Sequence, residues 1–506
     1  MKRLVLANVR GLLGPRQHYN ARPVDIVIEG ERIAAIRPAA GATVVLGGDH
    51  DEDRIDCTDR LVVPGLINGH YHSHEHYHKG RYENLPLEIW MHFVRAPKPV
   101  RFTARQVYLR TMIGALESLR TGATTVVDDC SLGASIDREH VDAMFQAYAD
   151  TGIRALVGFS MMNKPIVDNF PFAAESFPPE MLQSLRSLQP PSQASMFALV
   201  RELAKQHYPS SNRMGMVVAP SAPQRCTPEF LRDTMSLADE LDLAVISHVQ
   251  ETRLQVVTGQ QFYGKTIIEF MRDVGMLRPR TTLIHAAWLN FREIALLAET
   301  GATAQHNPWS NLMLGSGVQP VRALLDAGVN VSLGTDGCSS TVTANMLQTV
   351  GSAAALSKIR GDDYSRWLSA AEAYRAGTVG GAQALGLDHR IGTIEVGKTA
   401  DLVLYRLDAI PFVPLADPIR QLVYAERGAN IDTVQVAGEP VVRAGRLTRV
   451  DESALLAEIN AEHETSQAQF GAAEESVRAI KGALDAMLRR ADATPIATDT
   501  YPSRFV

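Results

Sequence analysis

No stretch of this chain approaches the ~18 consecutive apolar residues that a membrane-spanning helix needs, because charge, glycine and proline interrupt every apolar run. Blocks of like charge are missing too. Fifty Lys and Arg stand against 56 Asp and Glu, and the resulting formal charge of -6 is spread along the sequence. This excludes the basic footprint of a nucleic-acid binder and gives no reason to expect a membrane partner. Cysteine is scarce: Cys57, Cys130, Cys226 and Cys338 are four in 506 residues and share no C-x-x-C spacing. They make no disulfide framework, and the expected compartment is a reducing cytoplasm. The opening MKRLVLANVRGLLGPRQ is basic, but Asn8 and Arg10 break its apolar run, so it reads as a strand and not as a leader. With 45% hydrophobic and 21% charged residues, the composition is that of a globular protein. The length suits one large domain with an accessory, or about two to three ordinary domains.

What the chain does have is a concentration of histidine. The segment GHYHSHEHYH places His70, His72, His74, His76 and His78 at every second position. Two metal-binding patterns overlap there. His74-Glu75-His76-Tyr77-His78 satisfies H-E-x-x-H, which binds zinc only on an α-helix, where positions i and i+4 share a face. Gly69, Gly80 and Pro86 leave little room for such a helix. The other pattern is H-x-H at the end of a strand. RLVVPGLINGHYH reads as a buried strand running into His70 and His72, and in a strand residues i and i+2 point the same way. His70 and His72 are therefore the expected ligands. His74, His76 and His78 are expected in a loop near the mouth of a pocket.

The same signal recurs downstream. DLAVISH ends an apolar run at His248, with Glu251 three residues on; TTLIH ends at His285; GATAQH ends at His306; GVNVSLGTDG ends at Asp336. Segments of helical character, FREIALLAET and VQPVRALLDAG, separate them. Strands that end in polar residues and alternate with helices predict a (β/α) barrel with its chemistry at the C-terminal rim.

Taken together, VVPGLINGHYH, SHVQET, LIHAAWL, HNPWSNLMLGSGVQPVRALLDAGVNVSLGTDG and IGTIEVGKTADLVLY resemble the amidohydrolase superfamily over about residues 25 to 446. The resemblance is to the group of triazine hydrolases, guanine deaminase and deaminases of adenosine derivatives. It implies an α/β fold: a (β/α)8 TIM-like barrel beside a small β-sandwich built from both chain ends. It implies that His70, His72, His248 and Asp336 bind one metal ion, with Asp336 also taking a proton from the attacking water. Glu251 would pass a proton to a ring nitrogen of the substrate. His285 would contact that water or the substrate, with direct ligation left open. Three imidazoles and a carboxylate suit Zn²⁺ and leave a position for water; the same N/O set suits Fe²⁺. No strand-four lysine points to a second ion. One departure stands out: where adenosine-type deaminases have a histidine after Ala-Pro, this chain has Ser221, with Gln224 and Arg225 as alternative donors. Trp90 and His92 fall in a segment resembling the family's lid, and packing is the expected role of Trp90.

The expected division is 1–60 and 395–450 for the two parts of the sandwich, 61–394 for the barrel and 451–506 for a helical extension capped at Asp451 or Ser453. The proline-rich stretch from about 160 to 213 is expected to be a lid or a subunit contact. The expected activity is hydrolytic deamination of an N-heterocycle (purine, pterin, pyrimidine or triazine), with a small molecule as partner and a homo-oligomer, a dimer, as assembly. The alternatives are the same machinery with chloride, an alkylamine or an acyl amide as leaving group, a zinc protease, and a non-catalytic barrel that binds a ligand.

Overall fold

The computed structural model describes residues 3–39, 52–131, 133, 136–207, 213–359 and 363–496. The chain opens with five strands, β1 (Arg3–Leu13), β2 (His18–Glu29), β3 (Arg32–Pro38), β4 (Glu52–Asp56) and β5 (Arg60–Pro64). Eight parallel strands follow: β6 (Leu66–Tyr71), β7 (Ala123–Cys130), β8 (Arg154–Phe159), β9 (Met214–Met216), β10 (Val245–Val249), β11 (Thr281–His285), β12 (Thr303–His306) and β13 (Val331–Leu333). Then come β14 (Leu402–Arg406), β15 (Ile431–Val436), β16 (Glu439–Arg443) and β17 (Arg446–Leu447).

The eight middle strands form two four-stranded parallel sheets, β6 to β9 and β10 to β13. Two seams join them. At the first, Val218 N donates to Ala244 O (2.9 Å) and Ile246 N to Val218 O (3.0 Å). At the second, Asp336 N donates to His70 O (3.0 Å), and Asn68 and Thr335 exchange a pair of hydrogen bonds at 2.8 and 3.0 Å. Alternate residues then face opposite ways. Ile67, Val127, Leu156, Val217, Ile246 and Ile284 fill the barrel interior, closed below by Ala382, Leu385 and Ile391. Their neighbours Leu66, Val126, Val157, Val218, Val245 and Leu283 pack outward against the helices. This is a closed parallel barrel with a solid core.

The run RLVVPGLINGHYH, expected as one strand, is two. It breaks at Gly65, between β5 in the terminal sheet and β6 in the barrel. Gly65 has to be glycine because a Cβ there would lie 2.1 Å from the Thr124 side chain. Both chain ends share one nine-stranded mixed sheet, ordered β17-β16-β15-β14-β5-β1-β2-β3, with β4 paired to β1. Along β1, Arg3–Ala7 pair with β4, and Arg10 and Gly11 pair with β5. Between them Asn8, at φ 60°, marks the irregularity where β1 changes partner.

The C-terminal extension is three helices, Glu452–Thr465, Gln467–Arg478 and Lys481–Ala493. The first is capped by Asp451, which accepts from Ala454 N at 3.1 Å. The proline-rich stretch carries short helices, including Ala173–Ser176 and Pro179–Arg186, between β8 and β9; its residues 208–212 lie outside the described residues. Its Phe170, Phe177 and Leu182 join Leu87, Trp90 and Met91 of the helix Leu87–Val94, and Leu484 and Met487 of the last helix, in one apolar cluster. Among the described residues no helix is long and apolar enough to cross a membrane.

One close approach seats the helical segment before the terminal sheet on the barrel. A Cβ at Gly380 would stand 2.0 Å from the carbonyl oxygen of Val331 in β13. Gly380→Ala is expected to destabilise the protein by about 1–3 kcal/mol, as overpacking does, lowering the thermal unfolding midpoint. An unchanged midpoint would mean that the segment accommodates a methyl group at this contact without loss.

Candidate active site

At the C-terminal end of the barrel, six side chains from β6, β10, β11 and β13 or the turns after them meet. His70 and His72 are on β6 and just past it, His248 is on β10, His285 ends β11, Glu251 follows β10 and Asp336 follows β13. All six are buried. Asp336 Oδ1 lies 3.3 Å from Nε2 of both His70 and His72. Its Oδ2 lies 3.8 Å from His285 Nε2, and that nitrogen is 3.4 Å from Glu251 Oε2. The ring of His70 is 4.9 Å from that of His248, centroid to centroid. All six sequence-predicted residues are therefore in one place.

Backbone geometry makes this possible. Alternation in β11 puts Ile284 inside, so an extended His285 would point outward. The chain leaves the extended conformation there, with φ 70° at His285 and 40° at Ala286. Asp336 is likewise left-handed, at φ 69°. Such conformations cost about 1–3 kcal/mol each and persist where surrounding contacts fix them.

Three of the rings use the outer nitrogen to hold themselves in place. His72 Nδ1 bonds to Asp129 O (2.6 Å), His248 Nδ1 to Ser221 O (2.7 Å) and His285 Nδ1 to Asn311 Oδ1 (2.8 Å). With the carbonyl acceptors, Nδ1 must carry the proton. Burial opposes charge on His72, but Glu75 and Asp336 outweigh it and push that ring up to about 10. Asp336 is oriented by Ser310 Oγ, which donates to Oδ2 at 2.7 Å, and by Gly337 N, which donates to Oδ1 at 2.8 Å.

Burial pushes His285 down to about 4 and His248 well below the ordinary imidazole range, so both are neutral at pH 7. Burial opposes charge at Asp336 as well, but the adjoining His70 and His72 overcome it and hold the carboxyl well below its usual range. Glu251 goes the other way. Burial first, then the nearby Asp336 and Glu88, push it well above the carboxylate range and keep it the neutral acid.

These residues fit a metal ion. His70 is fully buried and neither of its ring nitrogens has a hydrogen-bond partner, an arrangement a cation would satisfy. His70, His72, Asp129 and His248 form one group close enough to share an ion, and His70, His285 and Asp336 another. Asp129 belongs on the outer side of the first group. Its Oδ1 accepts from Ser160 Oγ (2.7 Å), and its Oδ2 faces the outer nitrogen of His248 at 3.8 Å.

The remaining histidines depart from expectation. Ser73–His78 is not a loop but a buried 3₁₀ helix. At ~3 residues per turn, positions i and i+4 fall on different faces, so this helix does not provide the H-E-x-x-H geometry. His76 packs beneath Gly114, where a Cβ would lie 2.5 Å from its Nε2, and His78 packs on Phe470. His74, His76 and His78 do not line the pocket, but Glu75 does. A cleft is lined by the inner residues His72, His248, Glu251, His285 and Asp336, by the apolar Leu87, Trp90, Met91 and Val94, and by Glu75, Arg95 and Arg225. Trp90 thus both packs and faces the pocket, whereas His92 is buried beside it, bonded to Glu88 O at 2.8 Å. Glu75, Arg95, Asp129, Ser310 and Asn311 had not been singled out. Only Asp129 carries the strand-end signal, in TTVVDDC; the others reach the site from helices and turns.

Known proteins match this chain over most of its length. The sequence model of the amidohydrolase family matches residues 61–441. The 5'-deoxyadenosine deaminase of Methanothermobacter thermautotrophicus is 32% identical over 428 residues, 85% of this chain and 91% of that protein. The structure of an adenosine deaminase from Xanthomonas campestris with bound zinc matches with a TM-score of 0.78 at 29% identity, covering 92% of this chain and 98% of that one. An atrazine chlorohydrolase from Arthrobacter aurescens complexed with zinc matches with a TM-score of 0.80 at 25% identity, covering 91% and 100%. A barrel whose strand ends gather these histidines and acids, matched over most of its length by the family model, places the chain in the amidohydrolase family.

Proposed function

We propose that this protein is a mononuclear metal-dependent aminohydrolase that removes an amino group from an N-heterocycle of the purine, pterin, pyrimidine or triazine kind. The observation that carries this is the meeting of His70, His72 and His248 in one cation-ready group, with Asp336 Oδ1 3.3 Å from the inner nitrogens of His70 and His72, beside a Glu251 that burial pushes toward the neutral acid on the wall of the same cleft. The relatives named as deaminases support the leaving group. His70, His72, His248 and Asp336 would hold one Zn²⁺; the donor set also accepts Fe²⁺, and the zinc-bound relatives favour zinc. A bound divalent ion supplies Lewis acidity and a water that is nucleophilic near neutral pH.

The protein's own groups do the rest. Asp336 is ionised and steadied by Ser310, so it is placed to accept the proton of the attacking water. Attack at the ring carbon drives electrons onto the ring nitrogen. Glu251 enters as the acid and donates a proton to that nitrogen; a proton returned to Glu251 then serves the departing amine. His285, neutral and between the two carboxyl groups, orients the water or the tetrahedral centre. The apolar walls and the cap of helices keep other water out, which strengthens each of these contacts. The segment from β9 to Ser221 contains no lysine, which fits one ion rather than two. We read the enzyme as a cytoplasmic homodimer; four buried free cysteines suit a reducing compartment.

Three outcomes are expected. Elemental analysis should find about one divalent ion per chain, lost or weakly held in His70→Ala and Asp336→Asn and retained in His78→Ala. Metal content unchanged in the first two variants would remove them from the ion site. Glu251→Gln should keep its metal while losing about 100-fold or more of turnover; normal turnover would take Glu251 out of the reaction. Zinc-replete protein should release ammonia from at least one member of a panel of aminopurines, aminopterins, aminopyrimidines and aminotriazines. Silence across the panel with one ion bound would shift the reading to chloride as leaving group, tested on chlorotriazines.

A further inference from the structure

Two guanidinium groups open onto the cleft, and neither has a carboxylate partner. Arg225 ends the short turn Pro223–Arg225 and is only 6% exposed. Its Nη1 donates to Ser221 Oγ at 2.8 Å and its Nη2 to Met91 Sδ at 3.0 Å, both neutral acceptors. Arg95 follows the helix Leu87–Val94. Its Nη2 makes a long contact of 3.4 Å to Ser160 Oγ, and its Nη1 is buried with no partner. Among the described residues neither side chain takes part in an ion pair.

This is an unusual way to bury charge. A guanidinium withdrawn from water costs several kcal/mol unless a counter-ion meets it, and arginines in protein interiors are ordinarily paired. Burial together with the neighbouring Arg95 lowers Arg225 only to about 10, so it remains charged at neutral pH. Nearby carboxyl groups act on the pair only from a distance, Asp129 and Glu75 on Arg95 and Glu251 and Asp129 on Arg225, and among the described residues none comes within ion-pair reach. Asp336 lies against the histidines, and Asp129 accepts from Ser160 Oγ. A ligand carboxylate would supply the close counter-charge that the protein itself does not.

Position narrows the ligand further. Ser221 holds both Arg225, through its hydroxyl, and His248, through its carbonyl. The guanidinium is thereby fixed relative to the ion site. Trp90 and Met91 line the same cleft. A planar fork of N–H donors fits a carboxylate.

We propose that Arg225 and Arg95 form a carboxylate subsite, so that the substrate is an amino-substituted N-heterocycle bearing a carboxylate. This deepens the aminohydrolase reading and depends on it only for the reacting end of the ligand. Ser221 acts as a positioning residue for the subsite.

The test is equilibrium binding of nicotinate and nicotinamide, an unreactive pair of equal shape differing in charge, to the zinc-loaded protein by calorimetry. Nicotinate should bind about 10- to 100-fold more tightly. Arg225→Gln and Arg95→Gln should each cut that preference, and Arg225→Lys should restore it only in part, because it keeps the charge and loses the fork. Metal content and circular dichroism report folding; if Arg225→Gln does not fold, Arg95→Gln carries the test, since that side chain is partly exposed. Equal affinities in the wild type, including no measurable binding of either, overturn the subsite. So does a nicotinate preference that survives both glutamine variants, which would place the carboxylate on the metal. Because neither probe is turned over, an arginine-dependent preference in a protein that releases no ammonia would sink the aminohydrolase reading and leave the subsite standing. Ammonia release without any preference for acids would do the reverse.

Discussion

The outer nitrogens of three imidazoles are fixed to the scaffold, and the rest of the site depends on it. His72, His248 and His285 each commit Nδ1 to a neighbour: the carbonyls of Asp129 and Ser221 and the side-chain amide of Asn311. A free imidazole in a barrel mouth would rotate and exchange tautomers. Fixed in this way, each ring turns its other nitrogen toward a common centre, and a buried cluster that would otherwise repel itself becomes a cation site. His70, with no partner on either nitrogen, is the exception that shows what the cluster lacks on its own.

The cap over the site follows from the same logic. Glu251 owes its raised proton affinity first to burial, and so to the scarcity of water around it. The scarcity is produced by three segments distant in sequence: the helix after the histidine-rich turn, the proline-rich stretch between β8 and β9, and the last helix of the chain. Arg253 bonds to the carbonyls of Ala491 and Thr494, and so ties that last helix to the element following Glu251. Shielding and chemistry are thus mechanically joined. The two arginines sit inside the same shielded space, where an unpaired charge is costly and therefore informative about what enters.

The sequence by itself determined a good deal. Apolar runs ending in His72, His248, His285 and Asp336 exposed the barrel rim, because a buried strand reads as a continuous apolar segment and a polar residue at its end has nowhere to go but the mouth. The barrel was legible in that pattern, the site set in the resemblance that its motifs carry, and the lack of a disulfide framework in the number and spacing of the cysteines. The tertiary structure alone decided what depends on backbone angles and on contacts between distant segments. Strand parity would have sent His285 outward; a left-handed φ, stabilised by its surroundings, turns it in. The histidines after His72 were expected at the pocket mouth; a 3₁₀ helix packed against the helix Ala104–Arg120 and Phe470 buries them elsewhere and leaves Glu75 facing the cleft. Whether Arg225 is an ordinary surface arginine or a buried one without a counter-ion is invisible in the string PQRC. It is set by the packing of Met91 and the hydroxyl of Ser221, because burial is a property of what surrounds a residue and not of its neighbours in the chain.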